Sequence, residues 1–413
     1  MARHETRRAS RTGAIVLGTA LGAATTLGAL QSAQAGNQGS DLDISLTPAA
    51  GGMGGVGLVR PQDPVARQFG NPATLTQLDG QTSMTLGGSY LNVDARAEHD
   101  GSITGVPFDE RSDASHYLLP EVAAQQRVSD DIVLGGGIHT ITGLGSDFRT
   151  ASPTVEPIVE LVVFGANFGG AYDVTDNLTL GASTTLGFGL LELGLTSNTG
   201  LTHNFGVRGS AGFTYDFGPV QVGGVYNSPM NLSFDNVTET EPDSFSDFDM
   251  QQPQELGFGM ATTPEIFDNL LLEANVRWKN WGGAEAYEDI WDNQVISALG
   301  GQYMTGDWAL RLGYAYATDL QKDDVGGGIG DLDTLNVGGQ TVPVNEPLIQ
   351  FVQATLTQPY WQQQVSAGVG YAFTENIRID VQAGYAFDGD RRIGGTSLEV
   401  NEFQAGAGVT WNY

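Results

Sequence analysis

From Gln81 onward the chain alternates, with apolar side chains on one face of each stretch and polar or small ones on the other. The clearest stretch runs from Leu270 to Trp281. Leu270, Leu272, Ala274, Val276 and Trp278 share one face; Glu273, Asn275, Arg277 and Lys279 share the other. A period of two is the mark of a β-strand, whose successive side chains point to opposite sides. In a sandwich the apolar row would enter a core. Here the opposite row holds charged and amide groups in succession, which suits hydrocarbon on one side and a wet lumen on the other. The pattern recurs over Trp308–Tyr316, Val365–Phe373 and Ile377–Phe387, and in Phe403, Ala405, Ala407, Val409, Trp411 and Tyr413 at the end of the chain.

Read in this way, the chain holds about 14 strands, near 81–98, 115–128, 131–142, 156–173, 177–194, 202–217, 220–235, 252–262, 269–281, 293–305, 307–319, 362–374, 376–388 and 398–413. Their connections differ systematically. Ser129-Asp130, Val174–Asp176, Gly218-Pro219, Thr305-Gly306 and Glu375-Asn376 are short and rich in turn residues, whereas 99–114, 143–155, 236–251, 282–292 and 320–361 are long. An even strand count with short turns on one rim and long loops on the other describes an outer-membrane barrel, both chain ends lying on the periplasmic side. Aromatics beside the turns (Phe213, Tyr215, Phe217, Tyr371, Phe373) suit an interfacial girdle. The expected fold is all-β, a transmembrane antiparallel β-barrel with a plug in its lumen, monomeric and set in outer-membrane lipid and lipopolysaccharide. A soluble all-β protein is the competing reading.

The N-terminus agrees with export. Arg3, Arg7, Arg8 and Arg11 precede an apolar run from Ala14 to Leu30 and then Ala33-Gln34-Ala35, the order of a secretory signal cleaved after Ala35. The rest of the chain has no stretch of 18 or more continuous apolar residues, so a membrane span must be a closed barrel. With 18 basic against 48 acidic residues and a net charge of −30, no nucleic-acid surface is expected. Cysteine is absent, so disulfides and thiolate metal sites are excluded. No cofactor, metal site or catalytic residue is expected. His99, His116, His139 and His203 stand without a nucleophile elbow or metal motif, leaving an envelope hydrolase with a Ser-His pair at the rim as a remote alternative.

Ahead of the strands lies Gly51–Leu75, dense in Gly and broken by Pro61, Pro64 and Pro72. It reads as neither regular strand nor helix, and so as a linker in solvent or a plug whose backbone groups find partners inside the barrel. The proposed division is 1–35 signal peptide, 36–80 hatch and 81–413 barrel.

Asp63-Pro64-Val65-Ala66 followed by Asn71-Pro72-Ala73 resembles the N-terminal hatch of the FadL-type outer-membrane transporters of long-chain fatty acids and other hydrophobic compounds. Further likenesses follow in order along nearly the whole chain after the signal: Leu119-Pro120-Glu121, Asp130–Gly137, Gly143-Leu144-Gly145, Arg277-Trp278-Lys279-Asn280-Trp281 and Trp308–Tyr314. The Pro-Phe-Gly turn common after the family's third strand is replaced by Thr142-Gly143-Leu144-Gly145; loop 195–201 is short and loop 320–361 long. The resemblance implies passive uptake of a hydrophobic molecule (fatty acid, alkane or aromatic) by loop capture, lumen binding and lateral exit at a kinked third strand. Separately, the aromatic Tyr413 ending an alternating strand looks like the C-terminal strand that outer-membrane barrels present to the barrel-assembly machinery.

The resemblance points to Asn71, Pro72 and Ala73 as hatch residues and to Gly135-Gly136-Gly137 as the kink, a bulge or else a plain close contact with the hatch. For a carboxylate ligand, inward-facing Arg277, Lys279 and Arg311 are the best-placed cations; otherwise they pair with lumen acids such as Glu273 and Asp380. Phe245 and Phe248, in the acidic loop 236–251, form a first docking groove or pack the loop onto its neighbours. The acids of that loop either bridge cations to lipopolysaccharide or make a solvated surface. A hydrophilic porin is the alternative function.

Overall fold

The computed structural model describes residues 45–413 except 197–199, 327, 331, 358–361 and 388. The expected signal peptide and the first part of the expected hatch, 36–44, lie outside the described residues. Fourteen antiparallel strands form a closed wall: β1 Thr82–His99, β2 His116–Arg127, β3 Ile132–Asp147, β4 Ile158–Asp173, β5 Leu178–Gly194, β6 Thr202–Asp216, β7 Val220–Asn227, β8 Glu255–Thr262, β9 Leu270–Lys279, β10 Gln294–Thr305, β11 Trp308–Ala317, β12 Gln363–Ala372, β13 Ile377–Phe387 and β14 Thr396–Asn412. Each pairs with the next, and β14 returns to β1 from Ser83↔Asn412 to His99↔Thr396. Closure leaves no strand at an end of the sheet, which is what lipid requires.

The period-two rows face as the sequence predicts. Along β9 the positions 271, 273, 275, 277 and 279 are buried, while Leu272 and Val276 are exposed on the outer surface. Along β11, Trp308, Leu310, Leu312, Tyr314 and Tyr316 point outward and Ala309, Arg311, Ala315 and Ala317 inward. Aromatics gather at the short-turn rim: Trp308 and Tyr371 are 4.5 Å apart between ring centroids, as are Tyr215 and Phe217. The lumen is filled by the segment ahead of the strands. Residues 45–79 thread through it, and Leu46, Met53, Val56, Leu58 and Val59 are buried against inward faces of the wall.

The irregular segment also contains a helix, contrary to expectation. Residues Pro64–Gly70 form α1, because Asp63 accepts the Ala66 amide at 2.7 Å and Pro64 takes the first helical position, where its missing N–H costs nothing. Two 3₁₀ turns, Gly51–Met53 and Pro72–Gln77, complete it.

Three further boundaries differ from the sequence reading. Strand β3 runs on to Asp147, past residue 142. Strand β7 stops at Asn227, since Ser228-Pro229 breaks the ladder, and Met230–Glu241 pairs instead with Ser244–Gln252 as a separate hairpin over the barrel. The long loop before β12 carries a helix, α2 Glu346–Thr355. Asn345 caps it by accepting the Leu348 amide at 3.2 Å, and Leu348, Ile349, Phe351 and Val352 form its buried face.

Candidate functional site

Asn71 is fully buried and ties the hatch to itself and to the wall. Its Oδ1 accepts the Ala73 amide at 3.1 Å, and its Nδ2 donates to the Leu58 carbonyl at 2.8 Å and the Phe213 carbonyl of β6 at 3.2 Å. Pro72 and Ala73 lie so close to β5 that a side chain at Gly181 would fall on the peptide between them. Gly54 and Gly313 of β11 meet in the same manner. Much of the glycine in the wall strands thus lets the plug backbone lie directly on the wall, a close approach that a Cβ would forbid.

Strands β2 and β3 are paired only from Val122↔Ile138 to Arg127↔Val133. Beyond Ile138, β3 is paired with β4 alone, and a register shift falls between Thr140 and Thr142. Gly135, Gly136 and Gly137 sit in the regular part of this ladder, opposite Gln125, Ala124 and Ala123. The register shift comes at Ile141, four residues past Gly137, whereas pairing with β2 ends at Ile138, one residue past it. Gly135 instead gives room to Gln68 of α1, the close-contact alternative. Above the unpaired stretch the segment ahead of β2 meets the end of β3 through Asp113 N to Asp147 O at 2.9 Å and Asp147 N to Ser112 Oγ at 3.0 Å. Helix α1 backs the lower edge of this window: Gln125 Nε2 donates to the Pro64 carbonyl at 2.7 Å, and the Phe69 ring lies 5.4 Å from that of His139. His139 Nδ1 in turn faces the Glu121 carboxylate at 3.5 Å, both side chains buried.

The three cations singled out in the sequence face inward and are buried, and two of them, Arg311 and Lys279, stand beside acids of the wall. Arg311 donates to Asp380 and to Gln302, both at 2.7 Å. Lys279 lies 3.9 Å from Glu255, which Arg208 also approaches at 3.5 Å, and Arg277 adds its charge to the field at that carboxylate. Glu273, expected to neutralise a cation, accepts two hatch amides instead, Val59 N and Arg60 N, both at 3.0 Å.

The apolar chamber lies at the long-loop end. Leu144, Val159, Leu161 and Leu191 of β3–β5 form its base, Phe248 and Met250 of the hairpin one side, Tyr287 and Ile290 another, and Val352 and Leu356 from α2 and its end the roof. Among the described residues Glu239 is the one charged residue lining it, and its carboxylate accepts the Asp243 amide at 2.9 Å. The cavity is about 70 Å³, less than half the ~150 Å³ of a cavity that takes up benzene. Phe245 is half-buried on the same hairpin and does not line the chamber, whereas Phe248 does. Sequence reasoning missed Tyr287, Ile290 and α2. The run Asn345-Glu346-Pro347 before Leu348, Ile349, Phe351 and Val352 was the available helix signal.

A model of the family described as outer membrane protein transport protein (OMPP1/FadL/TodX) matches residues 27–242, a little over half of the chain. The chain belongs to this family. The FadL/TodX barrel is visible in solved structures as well. The Pseudomonas putida toluene transporter TodX superposes with a TM-score of 0.67 at 17% identity, over 90% of this chain and 99% of that one. A Pseudomonas aeruginosa FadL homologue gives 0.66 at 15%, over 92% and 100%, and the Ralstonia pickettii toluene transporter TbuX 0.63 at 18%, over 90% and 99%. A search of curated sequences finds no match. Membership in the FadL/TodX family makes this an outer-membrane channel protein for hydrophobic compounds, from a family of transport channels rather than enzymes.

Proposed function

We propose that the protein admits uncharged hydrophobic molecules across the outer membrane by passive binding and diffusion. Cargo is captured in the chamber under α2, passes to the lumen beside α1, and leaves sideways between β2 and β3. The observation that carries this reading is the chamber lining, which is mainly apolar and, among the described residues, includes no Lys or Arg. A fatty-acid carboxylate there would lose water and meet Glu239 with no cation to receive it, and an uncompensated buried charge costs several kcal/mol. Arg277, Lys279 and Arg311 lie deeper in the wall beside Glu255 and Asp380. Neutral hydrocarbon therefore suits the site better than fatty acid, and the small cavity means that cargo enters as Phe248 and Met250 move apart.

The filled lumen favours this reading over a hydrophilic porin. The test is binding in an uncharged detergent of an alkylbenzene and of the carboxylate with the same carbon skeleton, followed through the fluorescence of Trp281 and Trp291, which pack on Tyr287. The neutral ligand should bind at least tenfold more tightly. Tighter binding of the carboxylate would overturn the substrate class, and large steady open-channel currents in a planar bilayer would overturn the channel type.

A further inference from the structure

The plug has a second, polar cavity at the short-turn end, of about 280 Å³, unrelated to the apolar chamber. It is lined by Arg60, Arg67, Gln62 and Asp79 of the hatch segment and by Gln221 and Arg378 of the wall. Three arginines converge here in a chain with only 18 basic residues. Arg60 donates to Gln221 at 3.2 Å, and Arg378 is paired with Asp380 at 2.8 Å. Arg67 differs. It is only 7% exposed, its Nε has no hydrogen-bond partner, and no acid stands within ion-pair distance among the described residues. Asp63, the nearer buried acid in sequence, is occupied by the Ala66 amide and the Thr47 hydroxyl. Asp79 is exposed at the rim.

We propose that this cavity binds a small soluble oxyanion, phosphate or a short carboxylate, held by Arg67 with Arg60 and Arg378 and fastening the hatch to β13. A guanidinium offers a planar fork of donors that matches both ions, and a buried unpaired donor is the costly state that such an ion relieves. Burial and the neighbouring Arg378 charge lower Arg67 to about 10, so it is still cationic at neutral pH. A volume several times the ~30 Å³ of one water accommodates the ion with some hydration. Gln221 and Arg378 share the inward parity of their strands, so the cavity opens to the aqueous mouth and not to lipid.

The experiment is calorimetric titration of inorganic phosphate into the full-length folded protein in uncharged detergent, at constant ionic strength set with chloride. Saturable binding is expected, weakened at least tenfold by Arg67→Gln and by Arg60→Gln, with slower amide exchange over residues 58–70 when phosphate is present. Arg60 is half-exposed, so its variant decides the matter if Arg67→Gln fails to fold. Absence of saturable heat, or unchanged affinity in the folded variants, would overturn the site. Displacement of phosphate by added phosphatidylglycerol would overturn the soluble source and assign the cavity to a lipid headgroup.

Discussion

The side-chain amide of Asn71 donates to the carbonyl of Phe213, 3.2 Å away, across the boundary between plug and wall. The same amide holds the Leu58 carbonyl, and the position is closed to solvent. Asn71→Ala removes a donor from the Leu58 and Phe213 carbonyls and the side-chain acceptor of the Ala73 amide, and should cost roughly 1–3 kcal/mol. Because the bonds secure the plug and not the ladder, hydrogen exchange should rise over residues 58–75 while the strands keep their protection.

Replacing Gly181 by Val should push the plug away from the wall, since the new side chain falls on the Pro72–Ala73 peptide. Overpacking of this kind costs about 1–3 kcal/mol. The expected signature is increased ion conductance in planar bilayers. Gly209→Ala, with open space at its Cβ position, is the matched control and should conduct like the parent.

The buried Arg311–Asp380 pair should behave as a unit. Asp380→Asn leaves Arg311 uncompensated and is expected to cost about 3–5 kcal/mol in urea unfolding from vesicles. Adding Arg311→Met to it should recover part of that loss, so the two single effects will sum to more than the double variant shows. Asp380 also receives Arg378, so the recovery will be incomplete.

The two phenylalanines of the hairpin should separate. Phe248 lines the chamber and Phe245 does not. Phe248→Ala is expected to weaken hydrocarbon binding about tenfold, close to the ~1.5–3 kcal/mol of a buried aromatic side chain less what water regains. Phe245→Ala should change affinity less than twofold in the same fluorescence titration.

Deleting Ile141 removes the extra residue of the register shift between β3 and β4 and lets β3 realign towards β2. If cargo leaves through this part of the wall, uptake by intact cells should fall several-fold while chamber affinity in detergent stays the same. Equal uptake would rule out the lateral route.

The wall was largely legible in the sequence because lipid and lumen impose one rule at every position, so strands such as β9 and β11 declare both faces. What the sequence hid depended on contacts between distant segments. Glu273 reads as a partner for a lumen cation, yet its geometry serves the Val59 and Arg60 amides of the plug. Gly135, Gly136 and Gly137 read as a weak point in one strand; the β2 partner is lost just past them, after Ile138, and the register with β4 breaks at Ile141. The chamber was the least legible part. Its roof is α2, inside a loop whose capping signal is local but whose buried face has meaning only once β3–β5 lie beneath it.

The ladders of the wall are unequal, and the inequality has a mechanical meaning. Seventeen residue pairs join β1 to β14, the strands farthest apart in the chain, whereas six join the neighbours β2 and β3. Opening the first seam would unroll the ring into a sheet. Opening the second only parts two strands still hinged by the turn 128–131. The cylinder is thus riveted where its ends meet and unlaced where the chain itself holds the sides together, and it can yield at the side without ceasing to be closed.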